Sequence, residues 1–148
     1  LTTAAPLVGG RPRRVQYRPG GWRDGGGNLV AMLADIVVAL VALLHLCFLV
    51  LEMFLWDKPL GLRTFGLTPE AAASSKVLAA NQGLYNGFLA AGLTWGLGLG
   101  AGGTSVKGFF LACVLVAGLY GGVTAGRRIL YVQALPAAVG LALVWLAN

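Results

Sequence analysis

Residues 29–56 read LVAMLADIVVALVALLHLCFLVLEMFLW. The run is longer than the roughly 20 apolar residues that a helix needs to cross a bilayer. Only Asp35, His45 and Glu52 interrupt it with ionisable side chains of the common acid and base types. It ends in Trp56, Asp57, Lys58 and Pro59, which are an interfacial aromatic, two charges and a helix breaker. One membrane-crossing helix is the reading of this stretch, and the rest of the chain has to be compatible with it.

The composition agrees. Of 148 residues, 57% are hydrophobic and 11% charged, and the mean hydropathy is +0.78. Soluble domains carry about 25% charged residues, so this chain lacks the means to cover a water-facing surface. Its 23 glycines follow no triplet period, which excludes collagen and points to close helix packing in lipid. The net charge of +6 is concentrated in the tail and the connections, as topology signals are, so nucleic acid is not the expected partner. No zinc spacing and no phosphate-binding loop occurs, and neither metal nor cofactor is expected. Cys47 and Cys113 stand alone in apolar runs and read as core thiols rather than as a disulfide.

Beyond residue 56 a polar connection is expected over 57–76. Within it, Thr68-Pro69-Glu70 reads as N-cap, first-turn proline and first-turn acid, so a helix starts near Pro69 and runs on into the membrane. Further spans are predicted over 77–99, 108–126 and 129–148, with Pro136 as a candidate kink. The expected fold is all-α, a four-transmembrane-helix bundle preceded by a disordered basic tail over 1–28, where Arg11, Arg13, Arg14, Arg18 and Arg23 lie among Gly and Pro. The abrupt change of composition near Met32 suggests translation from that residue. Gly92, Gly96 and Gly100, and then Gly118, Gly122 and Gly126, form small-residue ladders. Packing inside one bundle is the preferred reading of these, and a homodimer seam is the alternative.

Lys58, Arg63, Lys76, Arg127 and Arg128 fall on one side of such a bundle, and Lys107 on the other. With Met32 as the start, the basic connections face the cytoplasm.

Polar groups inside spans are costly and mark function by default. Counting helix rise from the basic connections puts His45, Glu52, Asn81, Gln82, Tyr85, Asn86, Tyr120 and Gln133 in one half of the bilayer, with His45 and Asn86 deepest. His45 and Glu52 are two turns apart on one face. Asn81, Gln82, Tyr85 and Asn86 form one stripe that should face other helices or a wet cavity. The expectation is a ligand pocket in which Glu52 is either a proton-carrying carboxyl or an acceptor satisfied by Asn81, Gln82 or Tyr85. Arg127 and Arg128 are topology determinants that could also hold a lipid headgroup at the pocket mouth.

HLCFLVLEMFLW, FGLTPE, KVLAANQGLYNGFLAAGLTWG and YGGVTAGRRILYVQALPA closely resemble a family of small bacterial and fungal integral membrane proteins, known as domain of unknown function thirteen-oh-four. The resemblance covers about residues 32–148 and implies a four-helix protein of the bacterial inner membrane, with no activity to carry over. Three readings follow. The first is a protein that binds or transports a small amphiphile or lipid; the second is a cofactor-independent intramembrane enzyme using Glu52 as acid or base. The third is an accessory subunit of a larger membrane complex.

Overall fold

The computed structural model describes residues 25–147, and most of the expected tail lies outside them. The described chain is all-α. Its elements are α1 (Gly25–Phe54), α2 (Pro59–Phe65), α3 (Pro69–Gly98), a 3₁₀ turn (Gly100–Gly103), α4 (Thr104–Thr124), a π turn (Leu130–Ala134) and α5 (Leu135–Leu146). Two segments, Leu29–Phe54 and Gly100–Thr124, are long and apolar enough to cross a membrane, and Leu130–Leu146 is a shorter apolar helix.

Local chemistry explains the boundaries. Thr68 caps α3, its hydroxyl accepting the Ala71 N–H at 3.2 Å, with Pro69 opening the helix and Glu70 in its first turn. The connection between α1 and α3 is not simply polar loop, because α2 occupies part of it. Pro59 begins α2, and Gly66, at φ 66°, ends it in the left-handed conformation that glycine adopts without steric cost. Gly61 of α2 lies against the Leu55 carbonyl, where a Cβ would collide with backbone. Near Pro136, the missing N–H and the ring's conflict with the carbonyl four residues back coincide with the widened π turn just before it.

Helix α1 packs against α3 and α5, and α4 packs against the same two. Each neighbouring pair is antiparallel, with Glu52 facing Asn86, Gly96 facing Lys107, and Gly140 of α5 facing both Leu111 of α4 and Val37 of α1. Alanine and glycine dominate the buried positions of α3, namely Ala72, Ala79, Gly83, Ala90, Gly92 and Gly96, with Leu93 and Asn86. Large residues point outward instead, with Leu40, Leu43, Val77, Phe88, Phe109 and Val123 all exposed. Small inside and large outside is the pattern of helices that associate by close backbone approach.

The glycine ladders divide between two roles. Gly92 meets Phe110, Gly96 meets Lys107, Gly118 meets Ala134 and Gly122 meets Leu130, all contacts within the chain. Gly100 and Gly126 have positive φ and open space around them, so they serve turns rather than helix contact. The cysteine reading needs correction. Cys47 is exposed on the outer side of α1, and Cys113 is half-buried.

Candidate functional site

Glu52 and Asn86 form the polar link at the heart of the α1–α3 contact. Asn86 is buried, and its Nδ2 donates to Glu52 Oε2 at 2.7 Å. The antiparallel register that makes this possible depends on Gly83, where a Cβ would sit 3.1 Å from Glu52 Cβ and 2.7 Å from Met53 Cγ. The bond also puts Asn86 level with Glu52 rather than deeper with His45. Of the two roles foreseen for Glu52, an acceptor between helices is realised, with Asn86 as the donor instead of Asn81, Gln82 or Tyr85.

The α3 stripe divides for a geometric reason. Five residues along a helix turn through about 140°, which carries Asn81 away from the α1 contact that Asn86 reaches, and Gln82 and Tyr85 are exposed as well. Tyr120 is 72% exposed, Gln133 is half-buried in the π turn, and Arg127 and Arg128 are exposed beside Gly126. The eight foreseen residues therefore do not share one enclosed pocket.

His45 is fully buried. Its Nδ1–H donates to the Val41 carbonyl at 2.8 Å, which leaves Nε2 as an acceptor. That atom is buried with no hydrogen-bond partner among the described residues. Phe48 meets the imidazole edge-on at 6.1 Å. Among the described residues no three His, Cys, Asp or Glu side chains gather as a metal-binding group.

An apolar groove runs along the outer seam of α1 and α3. It encloses about 700 Å³, and Ala39, Ala42, Leu46, Leu49, Gly87 and Ala91 are among its walls. Thr94, also on the wall, turns its hydroxyl to the Ala90 carbonyl at 2.8 Å, so the groove stays apolar. Its walls end at Leu49 and Gly87, which lie three residues before Glu52 and one after Asn86, so the Glu52–Asn86 pair sits about one helical turn beyond that end.

Two features escaped the sequence. Lys107 Nζ lies 2.8 Å from Asp35 Oδ1, across 72 positions of chain. At the other end of the molecule, Lys76 Nζ lies 2.8 Å from Asp57 Oδ2, and Trp56 Nε1 donates to Ser75 Oγ at 3.0 Å. The Lys76 ammonium, by its hydrogen bond, holds the Asp57 carboxyl below its ordinary range.

The family described as protein of unknown function (DUF1304) matches residues 39–145. The chain is also similar to an uncharacterized protein YpaA of Lactococcus lactis, 29% identical over 106 residues, which cover 70% of this chain and 89% of that protein. No solved structure matches the chain. The family match takes in α2 to α4, nearly all of α5, and the part of α1 that carries His45 and Glu52, so the chain belongs to this family of proteins of unknown function.

Proposed function

We propose that the protein is a four-span integral membrane protein that binds a lipid-like amphiphile in the α1–α3 groove, with its polar head at Glu52. The spanning part is supported by the charge distribution. Asp35 and Asp57 are 22 positions apart on or just past α1, about 33 Å at helical rise, close to the ~30 Å of a bilayer's hydrocarbon core. Lys58, Arg63, Glu70, Lys76, Arg127 and Arg128 all belong to the Asp57 end of the fold. Lys107 extends its ammonium to Asp35 at the other end. Between these levels Glu52 is the one carboxylate among the described residues. Exposed Tyr85, Tyr120 and Tyr131 fall towards the Asp57 end, and exposed Trp95 and Trp145 towards the Asp35 end, as two aromatic belts would.

The observation that carries the binding reading is that the apolar groove ends at Leu49 and Gly87, about a helical turn from the Glu52–Asn86 pair. Asn86 satisfies one carboxylate oxygen, and the other is an acceptor for a hydroxyl or amine on the headgroup, while the chain of the amphiphile lies along Leu49, Leu46 and Ala42. Native mass spectrometry of the gently extracted full chain tests this. The wild type should carry an amphiphile that is lost in Ala91→Trp, which fills the groove, and weakened in Glu52→Gln. A wild type that carries nothing, even after reconstitution with native lipid, would end this reading.

A further inference from the structure

The end of the fold away from Glu52 contains a cleft of about 160 Å³, far above the ~10–15 Å³ that a single water requires. It is lined by residues of α1 that include Asp35, by Gly100 and Ala101 of the 3₁₀ turn, by Thr104 and Lys107 of α4, and by Val144 of α5 with Ala147 just past it. Three of the four long helices and the 3₁₀ turn thus contribute to it. Lys107 is more than nine-tenths buried, its stem pressed along Gly96. Its ammonium reaches towards the molecular end, as a snorkelling lysine does, and meets Asp35, whose side chain is 48% exposed. Helices α1 and α4 lie diagonally and barely touch. An ion pair whose whole task was to lock two helices would be expected to draw them together. Here the pair joins diagonal helices and both of its residues line the cleft.

The geometry points to a binding site for a small zwitterion carrying a phosphate and a primary ammonium group, as on an ethanolamine phospholipid. Lys107, next to the positive N-terminal end of α4, supplies the cation for the phosphate. Asp35, with one oxygen committed to Lys107 and half its side chain open, supplies the acceptor for the ammonium. A simple anion would be repelled by Asp35, and a simple cation by Lys107. A trimethylammonium head would call for an aromatic cage, and no aromatic side chain among the described residues lines the cleft. The site is separate from the Glu52 groove and its chemistry does not depend on what that groove holds.

The full chain in nanodiscs of equimolar phosphatidylethanolamine, phosphatidylcholine and phosphatidylglycerol tests the site, with retained lipid read by native mass spectrometry. The wild type should retain phosphatidylethanolamine by about tenfold or more over the other two, a preference of ~1.4 kcal/mol. Ala101→Leu, which fills the cleft from an exposed turn and leaves the ion pair intact, should abolish that preference without changing the helical circular dichroism. The Asp35→Asn/Lys107→Met double variant should do the same without leaving a lone charge. Calorimetric titration of soluble phosphoethanolamine into lipid-stripped protein distinguishes the source. Saturable binding means that the headgroup alone is recognised, whereas no binding alongside a retained lipid preference assigns the site to a membrane lipid. No lipid preference and no phosphoethanolamine binding, or a preference that survives Ala101→Leu, overturns the proposal.

Discussion

Asn86 Nδ2 and Glu52 Oε2 meet at 2.7 Å, joining α1 to α3 across 34 positions of chain. Inter-helix hydrogen bonds in membrane proteins average about 0.6 kcal/mol, but bonds to charged groups are stronger and an abandoned acceptor adds its own penalty. Asn86→Leu should therefore cost about 1–2 kcal/mol. Glu52→Gln should cost less, because an amide oxygen still accepts from Asn86. Reversible unfolding in mixed micelles, arranged as a double-mutant cycle, measures the coupling. A coupling near zero would mean that this bond does not hold α1 to α3.

His45 is buried with Nε2 unpartnered among the described residues. A buried polar atom left without a bond costs about 1–3 kcal/mol, and leucine suits a helix whose preceding turns bury Val38 and Val41 in the core. His45→Leu should stabilise the fold by about 1 kcal/mol in the same unfolding experiment. Loss of stability instead would show that Nε2 has a partner in the native protein.

How much of this was legible in the residues depends on the range of the interaction. Local signals were readable. Thr68-Pro69-Glu70 marks the start of α3, and Pro59 with Gly66 brackets α2 by the same proline-first, glycine-last logic, although the charges nearby suggested a loop. Glu52 stands out because it is an acid in an apolar run. Its partner was expected among Asn81, Gln82 and Tyr85, and Asn86 takes that place instead, because the choice rests on the rotation and register of α3, which the sequence does not carry. The Asp35–Lys107 pair had no sequence signature. The two residues are on diagonal helices, and Lys107 read as a topology charge until its stem was seen against Gly96.

Glycine positions separate by what surrounds them. A Cβ on Gly118 would lie 2.7 Å from the Ala134 backbone nitrogen and 2.9 Å from its Cα, and backbone at a helix contact has little room to yield. Gly118→Ala should destabilise by about 2 kcal/mol or more, as overpacked cores do. Gly108, also in α4, has nothing within 4 Å, so Gly108→Ala should be neutral or gain up to ~1 kcal/mol from helix propensity. Equal effects at the two sites would contradict the contact of α4 with the π turn.

Asp57 and Lys76 predict a pH response. Because Lys76 holds the Asp57 carboxyl below its unfolded value, the pair's contribution is complete above the ordinary aspartate range and disappears as pH falls through the lowered folded value. The pair is solvent-facing, so the effect on stability is small and salt-sensitive. The titration itself is the better readout. Carboxyl carbon shifts of Asp57 should show a midpoint below that of a free aspartate, rising towards it in Lys76→Met, with an unchanged midpoint excluding the contact.

The membrane reading makes its sharpest prediction at Cys47. The thiol is exposed on the protein surface, so in a water-soluble molecule a charged maleimide would label it quickly. Between Asp35 and Asp57, however, Cys47 falls about midway, ~15–18 Å from either level at helical rise, near the centre of the proposed bilayer. In intact membranes it should resist the charged reagent and react once detergent unfolds the chain. Cysteines placed at exposed Ser74 and Ser105 in a cysteine-free background belong to opposite ends of the fold. Each should label from one side only, with Ser74 on the cytoplasmic side because Lys58, Arg63, Lys76, Arg127 and Arg128 gather there. Labelling of both sites from the same side would break the four-span topology, and rapid labelling of Cys47 in sealed membranes would remove α1 from the bilayer.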